Sequence, residues 1–283
     1  MNLKTLATGF CLSALLASTS YSQTTTSTTS NTSTSSLSKT LAKLKESPLG
    51  LRLYMGVGHQ GTTTSLNGID MTNIGYLSYK LTDKDSLRLE NRWTVDMPSQ
   101  GETKHSLART VLKYTRSGLL TQEKNGVNLS AAVEKRVYPD KSTRNASNSY
   151  GLNRISASVS KKLNDTFSLG GTAYFAITDR INKNKNDSTK NYIYLVGTQT
   201  ASLGKGMSLT LVEEVYHNNN ELNINETNQV YLTMELSKQI NPSLSAGFSI
   251  GAEPVLTKNG SWNSNSTWKD NLAYGMNLSL SAF

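Results

Sequence analysis

Charged residues stand singly along much of this chain, on the polar side of segments whose other side is apolar. The first half supplies Arg52, Arg88, Glu90, Arg92, Arg109, Lys113, Glu134, Arg136 and Arg154 in this position. The second half supplies Glu214, Glu235 and Glu253. The chemistry on offer is electrostatic rather than covalent. If successive segments are neighbours in space, the basic residues gather on one wall and the acidic ones on the opposite wall. Such a split sets a transverse field across a water-filled passage and biases which ions enter it. The plainer reading is that these charges pair and fill the interior, since Glu90 lies between Arg88 and Arg92, and Glu134 beside Arg136.

Other reactive groups are sparse. The three histidines, His59, His105 and His217, are scattered and show no metal-ligand spacing. The single cysteine, Cys11, lies in the apolar stretch near the start, so the remainder has neither disulfide nor thiolate ligand. His105-Ser106 is the one adjacent His–Ser pair, and no histidine has the His-x-Ser spacing of outer-membrane hydrolases. The expectation is a protein without catalytic residues, metal or cofactor.

The elements that would position the charges are strands. Leu49, Leu51, Leu53, Met55 and Val57 alternate with Gly50, Arg52, Tyr54, Gly56 and Gly58. Leu87, Leu89, Trp93 and Val95 oppose Arg88, Glu90, Arg92 and Thr94, and Leu244, Ala246, Phe248 and Ile250 oppose Ser245, Gly247, Ser249 and Gly251. This period of two, repeated down the chain, marks strands with one apolar and one polar face. Residues 192–203 read almost equally in either phase, residues 71–81 put Asn73 among the apolar positions, and residues 207–216 do the same with Glu213. About twelve segments emerge, each near the ~9–11 residues that a tilted strand needs to cross a bilayer.

The connections alternate in length. Asp83–Asp85, Asn164–Thr166, Gly204–Gly206 and Asn241–Ser243 are short, whereas Gln60–Asp70, Pro139–Ser149, Asp179–Lys190, His217–Glu226 and Pro254–Lys269 are long and polar. Ser117–Asn125 is longer than the scheme wants. Short-long alternation with an even strand count places both termini on one side, the periplasm, and the long loops outside. The expected fold is all-β: an up-and-down antiparallel transmembrane β-barrel of about twelve strands. A soluble sandwich would bring its apolar faces together in a dry core and would use shorter strands, ~5–6 residues. A helical membrane protein is excluded, because no long apolar run follows the first residues and the mean hydropathy is −0.42.

Residues 1–22 read as a secretory signal, with Lys4 ahead of an apolar core and Ser20-Tyr21-Ser22 before the expected cleavage point. Residues 23–48 form a Ser/Thr-rich linker with a possible short helix over Leu37–Glu46, and residues 49–283 form the barrel. The net charge of +9 would suit nucleic acid, but an export signal argues against that partner.

The last residues resemble the sorting signal of bacterial outer-membrane barrels: Gly275, then Leu278 and Leu280, then the terminal Phe283, one step out of phase with the leucines. In size, pattern and charge, the chain is similar to the small monomeric porins of about twelve strands, which pass acidic sugars through an arginine-rich lumen. The resemblance implies a Gram-negative outer-membrane location. It implies contact with outer-membrane lipid, lipopolysaccharide and the barrel-assembly machinery, and passage of small hydrophilic solutes with a weak preference for anions or acidic sugars. It carries over no binding residue. The competing expectation is a plugged barrel that acts as an adhesin through its loops, with Trp262 and Trp268 as contacts.

Overall fold

The computed structural model describes residues 48–60, 69–97, 103–182, 189–219, 227–258, 261–264 and 272–281, all within one unit, Ser47–Phe283. The expected signal at 1–22, the expected linker up to residue 47, and Phe283 lie outside the described residues.

The strands are β1 (Leu49–Gln60), β2 (Ile69–Lys80), β3 (Asp85–Met97), β4 (Lys104–Leu120), β5 (Asn128–Val137), β6 (Ser149–Lys162), β7 (Phe167–Arg180), β8 (Asn191–Gly204), β9 (Met207–Asn219), β10 (Thr227–Asn241), β11 (Leu244–Lys258), β12 (Ser261–Ser264) and β13 (Ala273–Ser281). From β1 to β11 each strand pairs antiparallel with the next. β12 and β13 lie along the same edge of β11, one beside Val255–Lys258 and the other beside Leu244–Gly251, so together they fill one place in the ring. β13 pairs with β1 and closes the sheet. The product is a closed antiparallel barrel of twelve strand positions.

Register decides which face each residue takes, because directly opposed residues share a face. Arg88, Glu90 and Arg92 on β3 oppose Lys113, Val111 and Arg109 on β4. Leu87 and Leu89 oppose Tyr114 and Leu112 on the other face. A bulge follows: Trp93 opposes Leu107, leaving Ala108 without a direct partner. The extra residue keeps Arg109 on the charged face while Trp93 and Leu107 share the apolar one.

Burial is inverted relative to a soluble protein. The large apolar side chains Leu89, Leu112, Ile155, Phe175, Phe248 and Met276 are exposed, Ile155 to 57% and Met276 to 67%. The buried set mixes Ile74, Val111 and Leu152 with Glu90, Glu134 and Ser279. An apolar outside around a polar inside is the construction of a barrel whose solvent is lipid. Among the described residues, no helix is long and apolar enough to cross a membrane.

The tight connections gather on one rim. At the β8–β9 turn, Gly204, Lys205 and Gly206 all have positive φ, of 80°, 50° and 73°, and glycine relieves the strain at two of the three places. The Ser117–Asn125 stretch, too long for the expected turn, divides in two. β4 runs on to Leu120, and a single helical turn, α1 (Gln122–Asn125), bridges to β5. On the opposite rim the Pro139–Ser149 connection folds into helix α2 (Lys141–Ser147). The ambiguous phase of 192–203 resolves with Tyr192, Tyr194, Val196 and Thr198 inward, since they oppose Asn218, Tyr216, Glu214 and Val212. Glu213 takes the outer face, opposite Gly197, with Gln199 Nε2 donating to its carboxylate at 3.4 Å.

Candidate functional site: the inner face of the barrel

The inner faces of β3–β6 form a basic sector. Arg88, Lys113, Glu134 and Arg154 are successive cross-strand partners from β3 to β6. Strand tilt carries such a row along the barrel axis as it passes round the wall. Glu90 is 5% exposed; its carboxylate accepts from Arg109 Nε at 3.1 Å and Nη2 at 2.8 Å, and from Arg88 Nη2 at 3.5 Å. Glu134, 8% exposed, accepts from Arg154 Nη2 at 2.7 Å and Arg136 Nη2 at 3.1 Å. Each carboxylate thus sits between two guanidinium groups, the arrangement that offsets desolvation of a buried charge. The guanidinium groups also lie over aromatic rings, Arg88 over Tyr76 at 5.0 Å and Arg154 over Tyr174 at 4.3 Å. Ile74, Val111 and Ala176, all buried, oppose Arg92, Arg136 and Arg154, so the arginine stems have apolar surface to lie along.

Register corrects the expected partnership of Glu90. Its second guanidinium comes from Arg109 on the next strand, not from Arg92 two residues on. Arg92 and Lys113 have no carboxylate within 4.0 Å among the described residues. Arg52 stands apart on β1, where its Nε donates to Ser279 on β13 at 2.8 Å.

The rest of the inner face is built differently. Tyr174, Tyr194 and Tyr216 stack across β7, β8 and β9, with Tyr192 and Tyr231 beside them. Glu214 accepts a hydrogen bond from the Tyr194 hydroxyl. Glu235 accepts from Asn277 Nδ2 at 3.1 Å. Gly247 makes room for that bond, because a Cβ there would lie 2.9 Å from both the Asn277 amide and the Glu235 carboxylate. Short residues line the wall between β10 and β1: Thr233, Gly247, Ser249, Gly251, Gly275 and Gly56 share one face through successive registers. The side chain of Glu253 lies outside the described residues. Of the terminal segment, Gly275 points inward, opposite Ser249, while Leu278 and Leu280 take the outer face, opposite Met55 and Leu53.

The tyrosine stack is not legible in the sequence, because a tyrosine fits the apolar and the polar face of a strand equally well. The available signal was the spacing of Tyr192, Tyr194 and Tyr216, which becomes legible only once the β8–β9 register is known.

No family model matches the chain, and no curated protein matches it. Among solved structures it is similar to an outer membrane channel from Pseudomonas putida F1, with a TM-score of 0.56 at 11% identity over 82% of this chain and 95% of that one. It is also similar to the NanC porin, with a TM-score of 0.52 at 8% identity over 81% of this chain and 98% of that one. The fold is that of the outer-membrane porins. Within the porin fold a closed sheet leaves no unpaired edge in lipid, and the inner face is the surface that water and solutes meet. The charge pattern on that face is this chain's own.

Proposed function

We propose that the protein is a porin-type channel of the bacterial outer membrane for passive diffusion of small hydrophilic solutes, weakly preferring anions or acidic sugars. One observation carries the preference. Among the described side chains, Arg88, Arg92, Arg109, Lys113, Arg136 and Arg154 share the β3–β6 inner face with two carboxylates, Glu90 and Glu134. The surplus of positive charge acts over ~8–10 Å at physiological salt, so it biases the passage where the lumen is narrow. A twelve-stranded barrel is wider than an eight-stranded one filled by its own side chains and narrower than a sixteen-stranded porin. Glu214 and Glu235 on the facing sector moderate the bias, which makes the preference weak. The porin fold of the P. putida channel and of NanC supports the channel reading.

The test is reversal potential across planar bilayers in a salt gradient. Replacing Arg88, Arg92 and Arg109 together would strand the buried Glu90, so the cleaner variant is Arg92→Gln with Lys113→Gln, which leaves both carboxylate clusters intact. The reversal potential is expected to move toward cation preference. An unchanged value removes the basic sector as the selecting feature, and a parent protein without conductance leaves the loop-acting adhesin as the better reading.

The same proposal covers orientation and export. Residues 1–22 would direct secretion, and the segment from Gly275 through Leu278 and Leu280 to Phe283 would engage the barrel-assembly machinery. The short-turn rim and both termini would face the periplasm, and the long loops would face lipopolysaccharide. Cysteines placed within residues 183–188 are expected to label on intact cells, and one at Ser243 is not. Equal labelling reverses the orientation.

A further inference from the structure

Glu213 stands where a carboxylate is costly. It is the middle residue of β9 (Met207–Asn219), and its side chain is exposed on the lipid-facing wall. Leu195 on β8 and Leu232 on β10 are exposed around it. An ionisable side chain at such a depth marks a contact, because lipid tails offer nothing to bind it. Among the described residues no cation pairs with Glu213. The Gln199 Nε2 that donates to it lies at 3.4 Å, long for a hydrogen bond, and the Gln199 side chain is exposed on the same wall. The wall beside this pair is low. The Glu213 carboxylate lies over Gly197, where a Cβ would be 3.5 Å from Oε2. Gly171 opposes Gly197, and Ala157 opposes Ala173 next to them. The outer wall of β2–β4, by contrast, carries Leu77, Leu89, Trp93 and Leu112, all exposed.

We propose that this stretch of the β6–β9 outer wall is the contact face of a two-fold dimer, occupied by a second copy of this chain. A two-fold axis that relates copies of like orientation in a membrane runs along the bilayer normal, so it sets identical residues at identical depth. The patch carries its own complement. Gln199 of one copy donates to Glu213 of the other, and the reverse, so two reciprocal hydrogen bonds replace the single long one within each chain. Each glutamine amide has two N–H donors to give. A lipid tail supplies neither donor nor acceptor, and lipid head groups lie at the membrane surface rather than at this depth. Gly171, Ala173 and Gly197 let two walls approach closely, which is how small residues act between membrane-embedded segments. The face lies outside the lumen, so the dimer rests on the barrel and its apolar outer wall and not on conduction.

The experiment uses the full-length protein with Cys11→Ser. Ala173→Cys is expected to form a disulfide-linked dimer in isolated outer membranes under mild oxidation, and Leu89→Cys, on the β3 wall, is not. Förster transfer between labelled copies in liposomes, followed as lipid is added, gives the dissociation constant of the pair. Glu213→Leu removes the acceptor and leaves a side chain that lipid accepts. It is expected to insert like the parent and to raise the dissociation constant roughly tenfold, the effect of losing two modest hydrogen bonds. Gly171→Phe raises a bulky ring from the wall and is expected to weaken pairing further. The barrel has room for it, because a Cβ at Gly171 would meet Val159 Cγ1 at 3.6 Å and the Val196 carbonyl oxygen at 3.7 Å, ordinary contact distances. Heat-modifiable gel mobility shows whether each variant is folded. A protein that stays monomeric at every lipid dilution, or that cross-links with Leu89→Cys and not with Ala173→Cys, overturns the proposal. Unchanged pairing in either folded variant overturns it as well. None of these readouts needs conduction. Pairing in a parent that does not conduct keeps the dimer and refutes the channel, and a conducting monomer does the reverse.

Discussion

The inner face of β3–β6 and that of β9–β11 solve the problem of placing carboxylates inside a barrel in opposite ways. In the first sector Glu90 and Glu134 are buried, and each is held by two arginines. In the second, Glu214 and Glu235 are only partly buried and take hydrogen bonds from neutral groups, Tyr194 and Asn277. The first pair binds the wall together, and its charge is largely spent on its neighbours. The second pair keeps its charge toward the passage. The same residue type is thus structural on one side and electrostatic on the other, and the difference follows from which residues the register places opposite.

The comparison breaks most sharply at Glu134. Glu134→Ala leaves Arg136 and Arg154 facing each other without their shared carboxylate, and removing one partner of a buried ion cluster costs roughly 3–5 kcal/mol. Glu235→Gln removes a charge but keeps an acceptor for Asn277, and is expected to cost at most about 1 kcal/mol. Urea unfolding in liposomes, followed by tryptophan fluorescence, measures both. Similar losses in the two variants would mean that the sectors do not differ as described.

The outer wall should be blind to this difference. Leu89 stands behind the basic sector and Phe248 behind the small-residue sector, and both are exposed to lipid. Leu89→Arg and Phe248→Arg should each cost ~2–4 kcal/mol if near the midplane, and both should impair insertion. Ser158→Arg, on the inner face of β6, should leave insertion intact and reduce conductance. Heat-modifiable gel mobility reads the first effect and single-channel recording the second. A loss of mobility in all three variants would contradict the assignment of faces.

Much of this architecture is visible in the residues alone. Leu49 to Val57 alternate cleanly because one side meets lipid and the other water, a constraint that acts on every second residue. Inward placement of Arg88, Glu90 and Arg92 follows from the same rule. What alternation cannot supply is the partner across the strand. Glu90 meets Arg109 because the β3–β4 register sets Val111 opposite Glu90 and Arg109 opposite Arg92, and nothing local to Glu90 announces it. Residues 192–203 defeat the rule for another reason. Tyr192 and Tyr194 line the lumen while Ile193 and Leu195 face lipid, so all four count as apolar although they meet different solvents. The tyrosine row across β7–β9 is hidden by that ambiguity. The length of β4 was hidden as well, since its end is set by α1 and by pairing of Leu120 with Leu129.

The smallest effect sharpens the comparison at the mouth. Helix α2 rises from the long-loop rim between β5 and β6, above the basic sector, and Asn148 Nδ2 ties its end to the Asn182 carbonyl at 2.9 Å. Asp140 caps α2 and accepts from the Ser142 and Thr143 backbone N–H groups at 2.7 Å and 3.3 Å. The Ser142 hydroxyl and these two N–H groups hold the Asp140 carboxyl below the usual carboxylate range. A group with a lowered folded-state pKa lends its stabilisation in full above its unfolded pKa, roughly 3.9 for aspartate, and loses it as pH falls through the lower folded value. The cap should therefore be complete at neutral pH and fail only in strong acid. Protection of the Ser142 and Thr143 amides, relative to their intrinsic exchange rates, should fall only in strong acid, below the unfolded aspartate value of about 3.9, and Asp140→Ala should show the lowered protection already at pH 7. Because the described contacts of α2 are with β6 and with the segment that follows β7, exchange in β10 and β11 should not change in that variant. Parallel loosening there would mean that the two halves of the wall respond as one unit, and the division drawn between them would not hold.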